Sequence, residues 1–138
     1  MGATWYQSHA SAAKAAIDSL TRSLGLEWGA FGIRCVGVAP GPIGDTAGFS
    51  KLGGDSLGIE AILETIPIGR LGKTWDIAMA CVFLASAAGA FVSGETIVID
   101  GASYLWKPQL APREMIAQLS RASEKTSRNT GLATAAKL

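Results

Sequence analysis

Lys14 is the first residue whose type and setting could do chemistry. It lies in SHASAAKAAIDSLTRSLGLEWG, residues 8–29, on a face made mostly of small side chains. A lysine one helical turn after a tyrosine lowers that phenol's pKa by its charge and prepares it to give up a proton. The position one turn before Lys14 is Ala10. Tyr6 is no substitute, because its distance along a helix is about 12 Å and it falls on a different face. The other reactive types are sparse. His9 is the single histidine, and Cys35 and Cys81 sit inside apolar patterns with no metal-ligand spacing. A zinc site is therefore excluded, and the two thiols read as buried groups suited to a reducing compartment. What stands out is a lysine without its acid.

The elements that must position this lysine follow from periodicity. Ala13, Ile17, Leu20, Leu24 and Trp28 recur at helical spacing, with Ser8 or Ser11 as the expected cap. Gly29 and Gly32 are expected to stop that helix. GIRCVGVAPG has Ile33, Cys35, Val36 and Val38 on both faces, the pattern of a parallel strand covered on both sides. PGPIG ends it. Residues 44–68 are weakly patterned apart from a short helix expected at 59–65, and a connection of that length reads as a functional segment. Thr74 is expected to cap a helix whose first turn gains from Asp76 and whose buried face is Ile77, Cys81 and Leu84. Thr96–Ile99 reads as a second strand ending at Asp100 and Gly101. Pro112 suits the first turn of a last helix with Met115, Ile116 and Leu119 facing inward. From Thr126 onward the composition is that of a flexible tail.

The composition narrows the class. The chain has 138 residues, 49% hydrophobic and 17% charged, with a net charge of +1. That is one globular domain at most, with enough apolar residues for a core. The near-neutral balance gives no support for nucleic-acid binding. No apolar run reaches the roughly 20 residues of a membrane span, and MGATWYQSHA lacks the charged-then-apolar order of a secretory signal. Residues 1–106 hold six basic and nine acidic side chains, whereas residues 107–138 hold six and two. The order helix, strand, long connection, helix, strand, helix fits an α/β layered fold. Two strands do not complete such a fold, so the chain reads as the second half of a larger sheet.

SAAKAAIDSLTRSLGLEWG, GIRCVGVAPGPI, GRLGKTWDIA and FVSGETIVIDGA, in that order and spacing, resemble the C-terminal half of the short-chain dehydrogenase/reductase family. Within it, WYQSHASAAK, PGPIGDTAGFSKL and the terminal AKL are similar to peroxisomal 2,4-dienoyl-CoA reductases. The resemblance implies the C-terminal part of a Rossmann-like, doubly wound parallel sheet whose first strands are missing. It implies that Lys14 bonds the nicotinamide ribose of NADPH. The backbone of Pro40, Gly41, Pro42 and Ile43 would meet the nicotinamide carboxamide, with Gly44, Asp45 and Thr46 continuing beneath the phosphates. Phe49 becomes a wall of the acyl pocket. The partners implied are a fatty enoyl-CoA substrate, further copies in a dimer or tetramer, and the peroxisomal import receptor. Residues 1–106 correspond to half of the family's domain, 107–125 to a C-terminal helix, and 126–138 to a tail whose Ala136-Lys137-Leu138 is close to the S-K-L address.

Three departures qualify the resemblance. Ala10 stands where the family has tyrosine, but the dienoyl-CoA reductases lack it there too. Reduction of a conjugated thioester explains why: negative charge spreads onto the thioester and only carbon needs a proton. A water held by a carboxylate can supply that proton, and Asp100 is the local candidate, with a purely structural turn role equally open. Val36 replaces the usual asparagine, and Ala102 the second glycine of the family's DGG. The glycine-rich turn that carries the cofactor's diphosphate in this family has no counterpart among these residues. Two alternatives to the dienoyl-CoA reductase remain: a truncated, non-catalytic product acting through a subunit interface, and a reductase of a carbonyl or alcohol.

Overall fold

The computed structural model describes residues 6–44, 46–51, 58–108 and 110–129. They divide into two compact units, Met1–Trp106 and Lys107–Leu138. In the first unit the chain forms α1 (Ser8–Gly29), β1 (Val36–Pro40), α2 (Ala47–Lys51), α3 (Ile59–Glu64), α4 (Thr74–Ala85) and β2 (Glu95–Ile99). The second unit contains α5 (Arg113–Asn129). The α/β order expected from periodicity is present, and α2 is an addition to it.

β1 and β2 pair in parallel, from Val36 opposite Glu95 to Pro40 opposite Ile99. The helix α1 lies against both strands and α4 against β1. Two contacts set α1 on the sheet. Thr96 Oγ1 of β2 donates to Asp18 Oδ1 at 2.9 Å, and Gly25 meets Gly94 so closely that a Cβ at position 25 would lie 2.6 Å from the Gly94 Cα. Arg34, just before β1, donates to the carbonyls of Leu84 (2.7 Å), Gly89 (3.0 Å) and Val92 (3.2 Å). A cation at the C-terminal end of α4 satisfies acceptors the helix leaves open and favours its dipole.

Several local expectations need correction. Gln7, not Ser8 or Ser11, precedes α1, and its side chain makes no capping bond. The stop, by contrast, is as expected: the helix ends at Gly29 and Gly32 takes the left-handed turn, at φ +74°. The flanking residue of α4 is Lys73 rather than Thr74, because the Asp76 carboxylate accepts the Lys73 N–H at 2.7 Å. The last helix runs to Asn129, beyond the boundary expected before Thr126.

Burial departs furthest from expectation. Among the described residues, the buried hydrophobic side chains are Ile66 (2% exposed) and Leu84 (8%). Ile17, Leu20 and Trp28 of the α1 stripe remain exposed, as do Met115, Ile116 and Leu119 of α5. Cys81 is exposed and Cys35 half-buried, so the two thiols are not core groups. A parallel strand pair has two apolar faces and two edges, and the two helices packed on it, α1 and α4, do not enclose them.

Candidate functional site

The site is built where β1 ends. Pro40, opposite Ile99, is the last residue of the ladder; in this parallel register its own nitrogen faces away from β2, so proline costs no bond there. Gly41 N–H still donates to Ile99 O at 3.0 Å. It is glycine because the chain comes against the backbone of Asp100: a Cβ at position 41 would lie 2.6 Å from the Asp100 Cα. The loop is then stitched to the segment before α4. Gly72 N–H donates to Pro42 O at 2.9 Å and Gly44 N–H to Gly72 O at 3.0 Å, a parallel bridge pairing Ile43 with Gly72. In such a bridge the flanking residues make the bonds, so Ile43's own N–H and C=O point away from Gly72.

Thr46 receives the chain next. Its hydroxyl donates to Ile43 O at 2.8 Å and accepts the Phe49 N–H at 3.2 Å. One threonine thus caps α2 and orients Phe49. The result is an open cavity of about 690 Å³ lined by Pro40–Ile43, Thr46 and Phe49, with Ile62 of α3 and Thr74 and Ile77 of α4 completing its wall. Its wall is largely apolar, with the loop backbone and two threonine hydroxyls as polar groups. Such a lining suits an apolar ligand held by a few polar contacts.

Arg70 and Asp76 brace the other side of Gly72. The guanidinium donates to both carboxylate oxygens, at 2.7 and 3.0 Å. The Arg70 hydrogen bond, with the Lys73 N–H behind it, holds the Asp76 carboxyl at about 2, below its usual 3.8. The pair is exposed to water, and its value lies in bidentate geometry rather than Coulomb energy. Both residues line a second cavity of about 270 Å³ together with Ile68, Asp100 and Gly101.

The structure places the expected site residues unequally. Pro40, Gly41, Pro42, Ile43, Thr46 and Phe49 come together around one cavity. Gly44 stands beside them, packed on Leu71. Asp45 lies outside the described residues, as does the Ala136-Lys137-Leu138 tripeptide. Lys14 is exposed on α1 and lines neither of the two cavities. Of the two roles open to Asp100, the structure supplies partners for the turn. Its carboxylate accepts the Ala102 N–H and Tyr104 N–H, both at 2.8 Å, and the Ser103 hydroxyl at 3.1 Å. Those three donors hold a tight turn in which Gly101 and Ala102 both have positive φ, +63° and +68°.

Sequence reasoning assigned no site role to Gly72, Arg70, Ile62 or Ile77. A usable signal existed for the first two. GRLGKTWD sets an arginine and a first-turn aspartate on either side of a glycine, a spacing that lets the ion pair close over the helix start. Ile62 and Ile77 carry no such mark, since apolar residues lining a cavity and apolar residues filling a core look alike.

A family model described as Enoyl-(Acyl carrier protein) reductase matches residues 1–102. The chain is 51% identical over 127 residues to a peroxisomal 2,4-dienoyl-CoA reductase [(3E)-enoyl-CoA-producing] of Arabidopsis thaliana, covering 91% of this chain and 42% of that protein. It is 44% identical over 99 residues to the protein of the same name from Danio rerio, covering 72% of this chain and 33% of that one. The chain thus spans less than half the length of these relatives. Among solved structures, a putative 2-deoxy-d-gluconate 3-dehydrogenase from Agrobacterium tumefaciens with bound NADP matches with a TM-score of 0.61 and 43% identity, over 69% of this chain and 38% of that one. The loop after β1, its bridge to Gly72 and these likenesses agree: the chain belongs to the short-chain dehydrogenase/reductase family.

Proposed function

We propose that this chain supplies the substrate side of an NADPH-dependent 2,4-dienoyl-CoA reductase, which converts a fatty 2,4-dienoyl-CoA to a 3-enoyl-CoA during β-oxidation in the peroxisome. One observation carries the reading. The Pro40–Ile43 loop opens onto an apolar cavity walled by Phe49, while the position one turn before Lys14 is Ala10. An apolar cavity suits an acyl chain, and the missing tyrosine suits a reaction that protonates carbon rather than oxygen.

The residues present fit the nicotinamide end of the cofactor. Ile43's backbone N–H, turned away from Gly72 by the parallel bridge, is a donor for the carboxamide. Thr46 holds the Ile43 carbonyl in place. Lys14 bonds the ribose. When bound, NADPH supplies the hydride. The chain's own residues align the acyl group by apolar contact and present one ring face through the hydrogen-bonded Pro40–Gly44 loop. Asp100 enters as a positioning residue: it shapes the turn against which Gly41 packs.

The exposed apolar stripe on α1 supports assembly into a homo-oligomer. The likeness to peroxisomal relatives and the AKL terminus support import through the receptor for that signal. A fluorescent protein fused ahead of residues 126–138 is expected in peroxisomes, and deletion of Leu138 is expected to leave it in the cytosol.

The enzymatic reading is tested by incubating the protein that carries this sequence with NADPH and a 2,4-dienoyl-CoA. NADPH fluorescence and the double-bond position of the product are then followed. Oxidation of NADPH with formation of the 3-enoyl thioester is expected. Turnover of a ketone or alcohol in its place would overturn the substrate class.

A further inference from the structure

The proposed catalysis makes no use of the second unit. Its helix α5 (Arg113–Asn129) puts Met115, Leu119 and Ala122 four and three residues apart, on one stripe, with Ile116 at its margin. Met115 is 51% exposed and Leu119 63%, and Leu110 ahead of the helix is fully exposed. The other side carries Arg113, Arg121, Lys125 and Arg128, interspersed with Glu114 and Glu124. The helix therefore has four basic and two acidic side chains, a net +2. Arg128 forms an ion pair with Glu124, and Glu114 lies in the first turn, where the helix dipole favours it.

This helix lies beyond the common fold. The family model ends at residue 102. The Arabidopsis match extends over 127 residues, more than the first unit contains, so it continues into the second.

The chemistry of the two faces limits what can cover them. Three large apolar side chains and an alanine, bordered by cations, make a narrow stripe and not the broad, charge-depleted centre of a protein interface. An anionic phospholipid surface needs less, because it meets both faces at once. Its acyl boundary receives the stripe and its headgroups attract the cations. We propose that α5 lies in the plane of an anionic phospholipid surface with Met115 and Leu119 inserted and Arg113, Arg121, Lys125 and Arg128 at headgroup level. This is docking and not spanning: among the described residues no helix is long and apolar enough to cross a membrane.

The test is co-sedimentation of the 138-residue chain with phosphatidylcholine vesicles, with and without phosphatidylserine. Binding is expected to be about thirtyfold tighter with phosphatidylserine, a factor of about five for each net charge, and to fall as salt is raised. Leu119→Glu is expected to weaken it by about a hundredfold. The double variant Arg121→Glu, Lys125→Glu should remove the preference for phosphatidylserine. Phe91→Glu, at a fully exposed apolar site in the first unit, should leave binding unchanged. Equal binding to both vesicle types would overturn the proposal. So would loss of binding in Phe91→Glu with retention in Leu119→Glu, which would assign the affinity to the first unit. A concentration-dependent dimer that forms without lipid and is abolished by Leu119→Glu in sedimentation equilibrium would overturn it too, by making a second copy the occupant.

Discussion

The loop after β1 and the face of α1 that carries Lys14 belong to the same proposed site, yet the chain treats them differently. The loop is completed from within. Gly41 is pinned to Ile99, Ile43 is paired with Gly72, and Gly72 sits beside the Arg70–Asp76 bracket. α1 is anchored at its inner side by Asp18 and Gly25, while Ile17, Leu20 and Trp28 stay exposed. A loop held by hydrogen bonds between near neighbours in space needs few other residues. An apolar helix face has no local way to be satisfied, so its finished environment depends on surfaces brought to it.

That contrast can be broken at four points. The largest effect is expected at Lys14. In a protein that turns over a 2,4-dienoyl-CoA, Lys14→Ala should lower kcat/KM by about a hundredfold or more, because ribose positioning and positive charge are lost together. Ala10→Tyr should not raise the rate. A rate that survives Lys14→Ala would separate α1 from the site.

The next effect is at the loop itself. Gly41→Ala forces a Cβ to within 2.5 Å of the Asp100 Cβ. The backbone must move, and a loss of about 2 kcal/mol is expected in urea unfolding. Activity should fall with it, since the nicotinamide-facing backbone moves too. An unchanged midpoint would show that the loop is not pinned at this contact.

Asp76 sharpens the comparison through pH. Its carboxyl is held near 2 in the folded chain against 3.8 for the free group. The unfolded chain therefore binds more protons between those values, and stability rises with pH across that window. The contribution is fully present above about 4 and lost as pH falls through about 2. The urea midpoints of the parent and Asp76→Asn should differ above that window and converge at its acid end. A constant difference would mean that the bracket acts through shape alone.

The smallest effect is at Ala102, a non-glycine residue at φ +68° and ψ 18°. The left-handed region costs an alanine roughly 1 kcal/mol, so Ala102→Gly should raise stability by about that amount, less the extra freedom of glycine in the unfolded chain. Thermal unfolding measures it. A loss of stability would show that the methyl group packs usefully in the turn.

Much of the fold was legible in the residues because it rests on local rules. The 3.6-residue period of 8–29, the Gly and Pro punctuation after Ala39 and the apolar run before Asp100 all correspond to elements near their expected places. The Pro40–Ile43, Thr46 and Phe49 group came from the family resemblance and not from local rules, since PGPIG by itself marks only the end of a strand. The caps of α1 and α4 were misplaced because a serine or threonine near a helix start and one bonded to it look the same in one dimension.

The order of elements, the turn chemistry and the family resemblance were determined by the sequence, because each depends on residues a few positions apart. Only the tertiary structure decided that Ile43 pairs with Gly72, that Gly41 comes against the backbone of Asp100, and that the α1 stripe stays uncovered. Those outcomes depend on which distant segments meet. Ile43 and Gly72 stand 29 positions apart and Gly41 and Asp100 stand 59 apart, so neither contact can be read from local spacing.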